Sequence, residues 1–372
     1  MVRVPHPPLR FTSRLHDERV AAWLGIMLGL SFTTTFVTGL ISHFMQHPAG
    51  WMVWPSHPVN LYRVTQGLHV ICGLATIPFL LAKLWTVYPR LWRWPPIRSA
   101  GHAIERALVF VLVGAALFQV GTGLLNIAYW YAFPFFFPTA HYWTAYLLYG
   151  ALVIHVTNKW AKARHTVMTR PEDDLRRRGF LLTVAATSGV VVLTTVGEAF
   201  SPLAKLAVLA PRRPGVGPQD LPVNRSAYAA GITTTIAHDP GYRLVVTGRV
   251  ERELSFSLDD LNGLPSHTVR LPITCVEGWS AGATWEGIRL RDLLNTAGVR
   301  QDARVRIESL ERVGVYTTSW VDHSHWHDEL TLLALKVNGS PLDLDHGFPC
   351  RLIAPNRPGV LQTKWVHKVV VA

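Results

Sequence analysis

Cysteine is scarce in this chain of 372 residues: only Cys72, Cys275 and Cys350 occur, and they stand far apart. That spacing gives no readable disulfide framework, and without a CxxC pair it carries no zinc or iron–sulfur signature. Charge is scarce as well. Only 16% of residues are charged and 49% are apolar, too few charges for an ordinary soluble protein of this size, so part of the chain is expected in lipid. Acidic residues are the scarcer sign, 24 against 36 Lys and Arg, leaving a net charge of +12. Such a basic excess can signal nucleic acid, but here Lys and Arg cluster beside hydrophobic runs, where membrane insertion places them, and nucleic-acid binding is not expected. The length allows two or three domains.

Long apolar runs fill the first half. They cover about Val20 to Ser42, Val59 to Val87, Ile104 to Tyr131 and His141 to Asn158, with a weaker fifth at Phe180 to Ala199. The four stronger runs are of a length to cross a bilayer as helices, and the fifth reads as an anchor. Loop charge gives the orientation. Arg3, Arg10, Arg14 and Arg19 precede the first run, Arg90, Arg93 and Arg98 follow the second, and Lys159, Lys162, Arg164, Arg170 and Arg176 to Arg178 follow the fourth. The loops at 42–62 and 131–142 carry no Lys or Arg between their ends. The N-terminus is therefore expected in the cytoplasm and everything after the fifth span outside it, in a multi-pass protein of the cell membrane.

Ionisable side chains inside spans are costly, so the histidines there need a reason. His141 and His155 lie 14 residues apart on the fourth run, nearly on one helix face and about 21 Å apart. His69 in the second run and His16 at the start of the first supply single partners. This arrangement resembles the di-haem cytochrome b subunits of membrane formate dehydrogenases and hydrogenases. The resemblance implies two b haems, one between His69 and His141 and one between His16 and His155. His69 with His155 around a single haem is the competing arrangement, and His43 is a substitute ligand or a quinone-site residue.

Arg176-Arg177-Arg178-Gly179-Phe180-Leu181-Leu182 resembles a twin-arginine export signal placed inside the chain. Residues 201–222, rich in Pro and Gly, read as a linker. Beyond them the pattern changes to short β-like segments. Strands are expected at Tyr242–Val250, His267–Cys275, Arg304–Leu310, Val315–Trp320, Leu333–Val337, Cys350–Ala354 and Trp365–Val371, and helices at Ser257–Leu261 and Arg289–Ala297.

The stretch Ile273-Thr274-Cys275-Val276-Glu277-Gly278-Trp279-Ser280, with Thr284-Trp285-Glu286-Gly287-Ile288 and Leu290-Arg291-Asp292-Leu293-Leu294, closely resembles the molybdenum-binding segment of the sulfite-oxidase-type molybdopterin domain. The resemblance implies that the Cys275 thiolate binds molybdenum beside the dithiolene of molybdopterin, a soft anionic ligand on a rigid loop. Pro222-Val223-Asn224-Arg225 resembles the entry segment whose Asn contacts the pterin, and His346 to Ile353 with Ala354 to Gly359 resemble the strand and loop that close over the cofactor. Arg351, Arg357 and Lys364 are the candidates for its phosphate or pterin. Trp279 and Tyr316 are candidate pocket walls at the catalytic centre. Cys350 is expected in the core.

The residues around Cys275 are closer to the bacterial branch that includes periplasmic methionine sulfoxide reductase than to sulfite oxidases proper. Asp322-His323-Ser324-His325-Trp326-His327 would place three histidines on one face if extended, as a metal site, a docking loop or an exposed loop. The fold class expected is multi-domain: an all-α transmembrane bundle of four haem-binding spans (1–170) with a fifth segment (171–200), the linker, and a β-rich α+β molybdopterin domain (223–372). The expected function is exchange of electrons between the quinone pool and an extracytoplasmic small-molecule substrate through b haems and molybdenum, in the direction of oxygen-atom removal from a sulfoxide or N-oxide. The competing expectation is a non-catalytic haem-bearing membrane protein with a degenerate outer domain.

Overall fold

The computed structural model describes Ser13, residues 15–91, Pro95, and residues 97–169, 175–314 and 316–372. Arg3, Arg10, Arg14, Arg93, Arg170 and Val315 lie outside the described residues. Two compact units are present. The first comprises residues 1–37 and 69–193, and the second residues 38–68 and 194–372.

Five long helices occupy the first half: α1 (Glu18–Gln46), α2 (Leu61–Leu91), α3 (Ala100–Ile127), α4 (Phe137–Met168) and α5 (Leu175–Leu193). Among the described residues four helical stretches are long and apolar enough to cross a membrane: α1, α2, α3 and Leu175–Glu198. The sequence pattern ranks the fourth run above the fifth, whereas by mean hydropathy the helix at 175–198 is the more apolar of the two. His141, Tyr142, Trp143, Tyr146, Tyr149 and His155 dilute the apolar character of α4, whereas α5 alternates small apolar residues with threonines whose hydroxyls bond back one turn, as Thr183 and Thr187 do. Within the first unit, Val20, Leu24, Leu28 and Phe32 of α1 pack with Phe79 and Leu80 of α2, Ala115 and Ala116 of α3, Leu148 and Leu152 of α4, and Val184 of α5.

The second unit is built on two five-stranded sheets. One has the order β2 (Leu254–Phe256), β1 (Leu244–Gly248), β10 (Val366–Val371), β5 (Val305–Ser309) and β6 (Thr318–Val321), with β1 and β10 parallel and the other pairs antiparallel. The other runs β3 (His267–Thr274), β4 (Ser280–Arg289), β7 (Leu332–Val337) and β8 (Ser340–Pro341), with β9 (Arg351–Ile353) also pairing β7. Short helices α6 (Thr234–Ala237), α7 (Leu258–Gly263), α8 (Leu290–Thr296) and α9 (His323–Trp326) connect them. Alternation along β5, buried at Val305, Ile307 and Ser309, turns one face into a core shared with Leu244, Val246, Leu290, Leu294, Val369 and Cys350. Cys350 is thus a core residue, as expected.

Two features depart from the pattern reading. The end of the segment read as a linker makes specific contacts: Gln219 Nε2 donates to the carbonyl of Pro341 at 2.8 Å, its Oε1 accepts from the Asp343 amide at 2.9 Å, and Leu221 is buried. Pro and Gly deny this stretch a regular ladder, and side chains supply the contacts instead. The histidine segment is not extended. It forms α9, with His325 buried and its Nδ1 3.2 Å from Ser324 Oγ, His327 stacked on Trp326, and His323 exposed. A helix turns successive residues by about 100°, so alternate histidines cannot share a face there.

Candidate functional site: a buried thiol at a hairpin tip and a pair of facing imidazoles

Strand β3 pairs along its full length with β4, closing on Thr274 opposite Ser280, and the five residues between them form the tip. Cys275 donates its amide to Trp279 O at 2.9 Å, and Gly278 donates to Cys275 O at 3.1 Å. Gly278 has φ 106°, a conformation that a side chain would strain. Below the tip the Thr274 and Ser280 hydroxyls lie 2.8 Å apart. Close pairing on both sides holds the thiol rigid.

Cys275 is 1% exposed. Asn224 Nδ2 points at its Sγ from 3.6 Å. Burial, with the Glu277 carboxylate adding to it, pushes the thiol well above its ordinary pKa, whereas a coordinated metal cation deprotonates such a thiol outright. Gly359 approaches from the other side: a Cβ there would lie 3.1 Å from Thr274 O and 3.7 Å from Cys275 Cα. Trp279 is buried, and its Nε1 donates to Glu277 Oε2 at 3.1 Å; the same carboxylate pairs with Arg212 at 3.2 Å. Burial raises the Glu277 pKa, opposed chiefly by Arg212. Arg212 and Glu277 are site residues that the sequence reading did not select.

Three cations define the electrostatics. Arg351 is 3% exposed; its Nη1 donates to His346 O at 3.1 Å, the guanidinium lies over the Trp285 ring, and its buried Nε has no hydrogen-bond partner. Arg357 is buried and donates to Leu361 O at 2.9 Å and Trp320 O at 2.6 Å. Lys364 Nζ donates to Arg225 O at 2.9 Å and Asp345 O at 2.6 Å. Among the described residues none of the three forms a salt bridge. Loss of water lowers their pKa values to about 9 for Arg351, about 10 for Arg357 and about 7 for Lys364. Arg351 and Lys364 both lie in electrostatic reach of Cys275. Cations withdrawn from water that make no salt bridge are expensive, and a polyanionic ligand beside the thiol relieves that cost. This donor set fits a phosphate-bearing pterin.

Tyr316 is half-buried and, with Cys275, lies in electrostatic reach of the Tyr62 phenol. Asn356, at φ 47°, is turned away from the thiol: its Oδ1 accepts from the Tyr62 amide at 2.9 Å and its Nδ2 donates to Pro55 O at 2.8 Å. Ser324 Oγ donates to Trp54 O at 2.9 Å, and His57 lies 3.0 Å from Asp328, so the histidine segment holds residues 54–57. Among the described residues no group of three or more His, Cys, Asp or Glu is disposed to hold a metal.

In the first unit His69 and His141 face each other with ring centroids 6.4 Å apart and planes at 63°. His69 Nδ1 lies 2.9 Å from Thr35 O. A carbonyl only accepts, so Nδ1 carries the proton and Nε2 the lone pair. His141 Nδ1 lies 2.7 Å from Thr122 Oγ1, which in turn lies 2.6 Å from Phe118 O. His16 Nδ1 is 3.1 Å from Thr86 O with its ring on Trp85, and His155 stands among Lys83, Lys159 and Glu105. His43 stacks on His47 at 4.9 Å. Arg177, in the arginine run, pairs with Asp17 at 3.0 Å.

Residues 231–372 match the family model described as the oxidoreductase molybdopterin binding domain. Sulfite oxidase of Rattus norvegicus mitochondria is 35% identical over 157 residues, 35% of this chain and 29% of that protein. The uncharacterized oxidoreductase YuiH of Bacillus subtilis is 31% identical over 132 residues, 34% of this chain and 64% of that one. A protein of Azospira oryzae, provisionally named protein-methionine-sulfoxide reductase subunit YedZ1, is 31% identical over 130 residues, 35% of this chain and 48% of its own. The chain therefore spans less than two thirds of each of these relatives. The C-terminal part thus matches the molybdopterin-binding oxidoreductase domain, and it follows helices apolar enough to span a membrane.

Proposed function

We propose that this protein is a membrane-anchored molybdenum oxidoreductase that removes an oxygen atom from a small substrate of the sulfoxide or N-oxide type, with electrons supplied from quinol through haem b. The observation that carries the reading is the buried Cys275 thiol on a hairpin tip, in electrostatic reach of Arg351 and Lys364, two cations that make no salt bridge among the described residues. Cys275 would supply the protein's ligand to molybdenum, and Arg351, Lys364 and Asn224 would hold the pterin and its phosphate, with Arg357 fixing the turn at 358–361. When bound, molybdenum supplies two-electron oxygen-atom exchange and haem iron supplies one-electron steps. Rigidity at the tip keeps the thiol in place while the substrate oxygen enters and leaves.

The two facing imidazoles support a haem between α2 and α4. A haem bound here would be held by one imidazole from each of these helices. His69 and His141 face each other with ring centroids 6.4 Å apart. Their Nδ1 atoms are engaged by Thr35 O and Thr122 Oγ1, the kind of outer hydrogen bond that orients ligating histidines. This supports the His69–His141 pairing over His69–His155; His16 and His155 remain the candidate ligands of a second haem. Similarity to the relative named for methionine sulfoxide reductase favours reduction over oxidation. An outward-facing catalytic domain, exported along the twin-arginine route, completes the proposal.

The test is reoxidation of dithionite-reduced haem by a panel of sulfoxides, N-oxides and oxyanions. We expect a sulfoxide or N-oxide to reoxidise the wild-type haem and to fail with Cys275→Ser. Equal reoxidation in both proteins would contradict the reading.

A further inference from the structure

The second unit takes in residues 38–68, which lie outside the family-matched segment 231–372. Its contribution centres on the first two turns of α2. Gln66 is 4% exposed, and its Nε2 donates to Val276 O at 2.8 Å, the carbonyl directly after Cys275. The other end of that amide, Oε1, is buried and has no hydrogen-bond partner. One turn earlier, Tyr62 is 1% exposed, anchored through its amide to Asn356, and in electrostatic reach of Cys275. Thr65, between them, returns its hydroxyl to Leu61 O at 3.0 Å and competes for neither.

We propose that Gln66 is a positioning residue of the molybdenum site, which holds the Cys275 turn through Val276 O and presents its free amide oxygen to an N–H or O–H donor of the bound ligand. The proposal rests on the function proposed above. Val276, Glu277 and Gly278 make a three-residue reversal, and Cys275 O and Trp279 O are already used within it. The Val276 carbonyl accepts instead from Gln66, and that bond sets the tilt of the Val276–Glu277 peptide, one residue beyond Cys275. A buried acceptor without a donor is costly. Beside such a turn, a ligand donor is the group that satisfies it. The Gln66 amide thus ties α2 to the turn from outside the family-matched segment of this chain.

The experiment uses the full-length protein with Gln66→Leu, which removes both ends of the amide, and Gln66→Glu, which keeps an oxygen and removes the donor. Val64→Ala, at an exposed position on the same helix, is the control. Two readouts are taken: the Mo(V) electron paramagnetic resonance spectrum, and hydrogen exchange of the amides at residues 275–279. We expect both variants to shift the Mo(V) g-values or split the signal into more than one species, and to raise exchange at the turn at least tenfold, with the control unchanged. If Gln66→Leu loses the metal, exchange at the turn still decides, since it is read against wild-type protein from which the metal has also been removed. Wild-type spectra and wild-type exchange in both variants would overturn the proposal. Absence of molybdenum from the wild-type protein would sink the functional reading and this inference with it, an outcome distinct from wild-type-like variants in a loaded enzyme.

Discussion

Polar groups are accommodated differently in the helical unit and in the β-rich unit. On the helices, hydroxyls return to their own chain one turn back: Thr76 to Cys72 O, Thr86 to Ala82 O, Thr122 to Phe118 O, and Thr157 to Val153 O. A bilayer offers no other partner, so local satisfaction is the rule there. In the β-rich unit polar groups are buried in long-range sets, as with Glu277, Arg212 and Trp279. The residues that break each pattern are therefore informative. Among the helices these include Ser188, which donates to Ala75 O, and the imidazoles of α2 and α4 that face one another; in the β-rich unit they include cations that make no salt bridge among the described residues. The imidazoles and the cations mark where a group of different chemistry, neutral-donor metal or polyanion, would be held.

The contrast is broken most severely at the imidazoles. His141→Ala removes one of two facing rings, and we expect loss of the bis-histidine absorption bands of that site and of quinol-dependent turnover, while molybdenum content stays within about 20% of wild type; optical spectra and metal analysis of one preparation check both. On the sheet side, Arg351→Met removes a buried cation, and cofactor retention should weaken about 10- to 100-fold, the worth of a charge-assisted hydrogen bond of roughly 1.5–3 kcal/mol. The cofactor-free form should be no less stable than wild type, because an unpaired buried charge is gone. Calorimetry with and without cofactor separates the two effects. Trp279→Phe deletes one buried hydrogen bond to Glu277 and should cost about 1 kcal/mol of stability, read by thermal unfolding.

The smallest effect is one of pH. Lys364 has a folded-state pKa lowered to about 7, below its ordinary value, so between about pH 7 and the ordinary lysine value the unfolded chain binds more protons. Stability of the cofactor-free protein should therefore rise with pH across that window, with the penalty fully present below about pH 7. Lys364→Met should flatten the rise. An unchanged slope in the variant would show that another group titrates there.

Much of this was legible in the sequence because it rests on local pattern. The helices at Glu18–Gln46 and Ala100–Ile127 and the strands at His267–Thr274 and Val366–Val371 fall within a few residues of where periodicity places them. Strand β4 was missed. Gly282, Gly287 and three alanines or serines at its start give little β signal, yet it is a central strand whose Gly287 packs against the Leu333 carbonyl of β7, where a side chain would not fit. Cys275 and Asn224 were readable from their motif, and the structure brings them together. Gln66, Tyr62 and Arg212 were not readable, since each reaches the hairpin tip from a distant segment and lies in no local pattern that points there. Asn356 was read as part of the cofactor closure, whereas its side chain clamps residues 55–62.

The central claim is that Cys275 and its neighbouring cations hold a molybdenum-pterin group, and metal and pterin analysis of the purified full-length protein tests it most directly. The account predicts about one molybdenum and one pterin per chain, with the metal lost or sharply reduced in Cys275→Ser while the helical unit keeps its haem. Stoichiometric haem without molybdenum in the wild-type protein, or a Cys275→Ser protein that holds molybdenum as tightly as wild type, would contradict it.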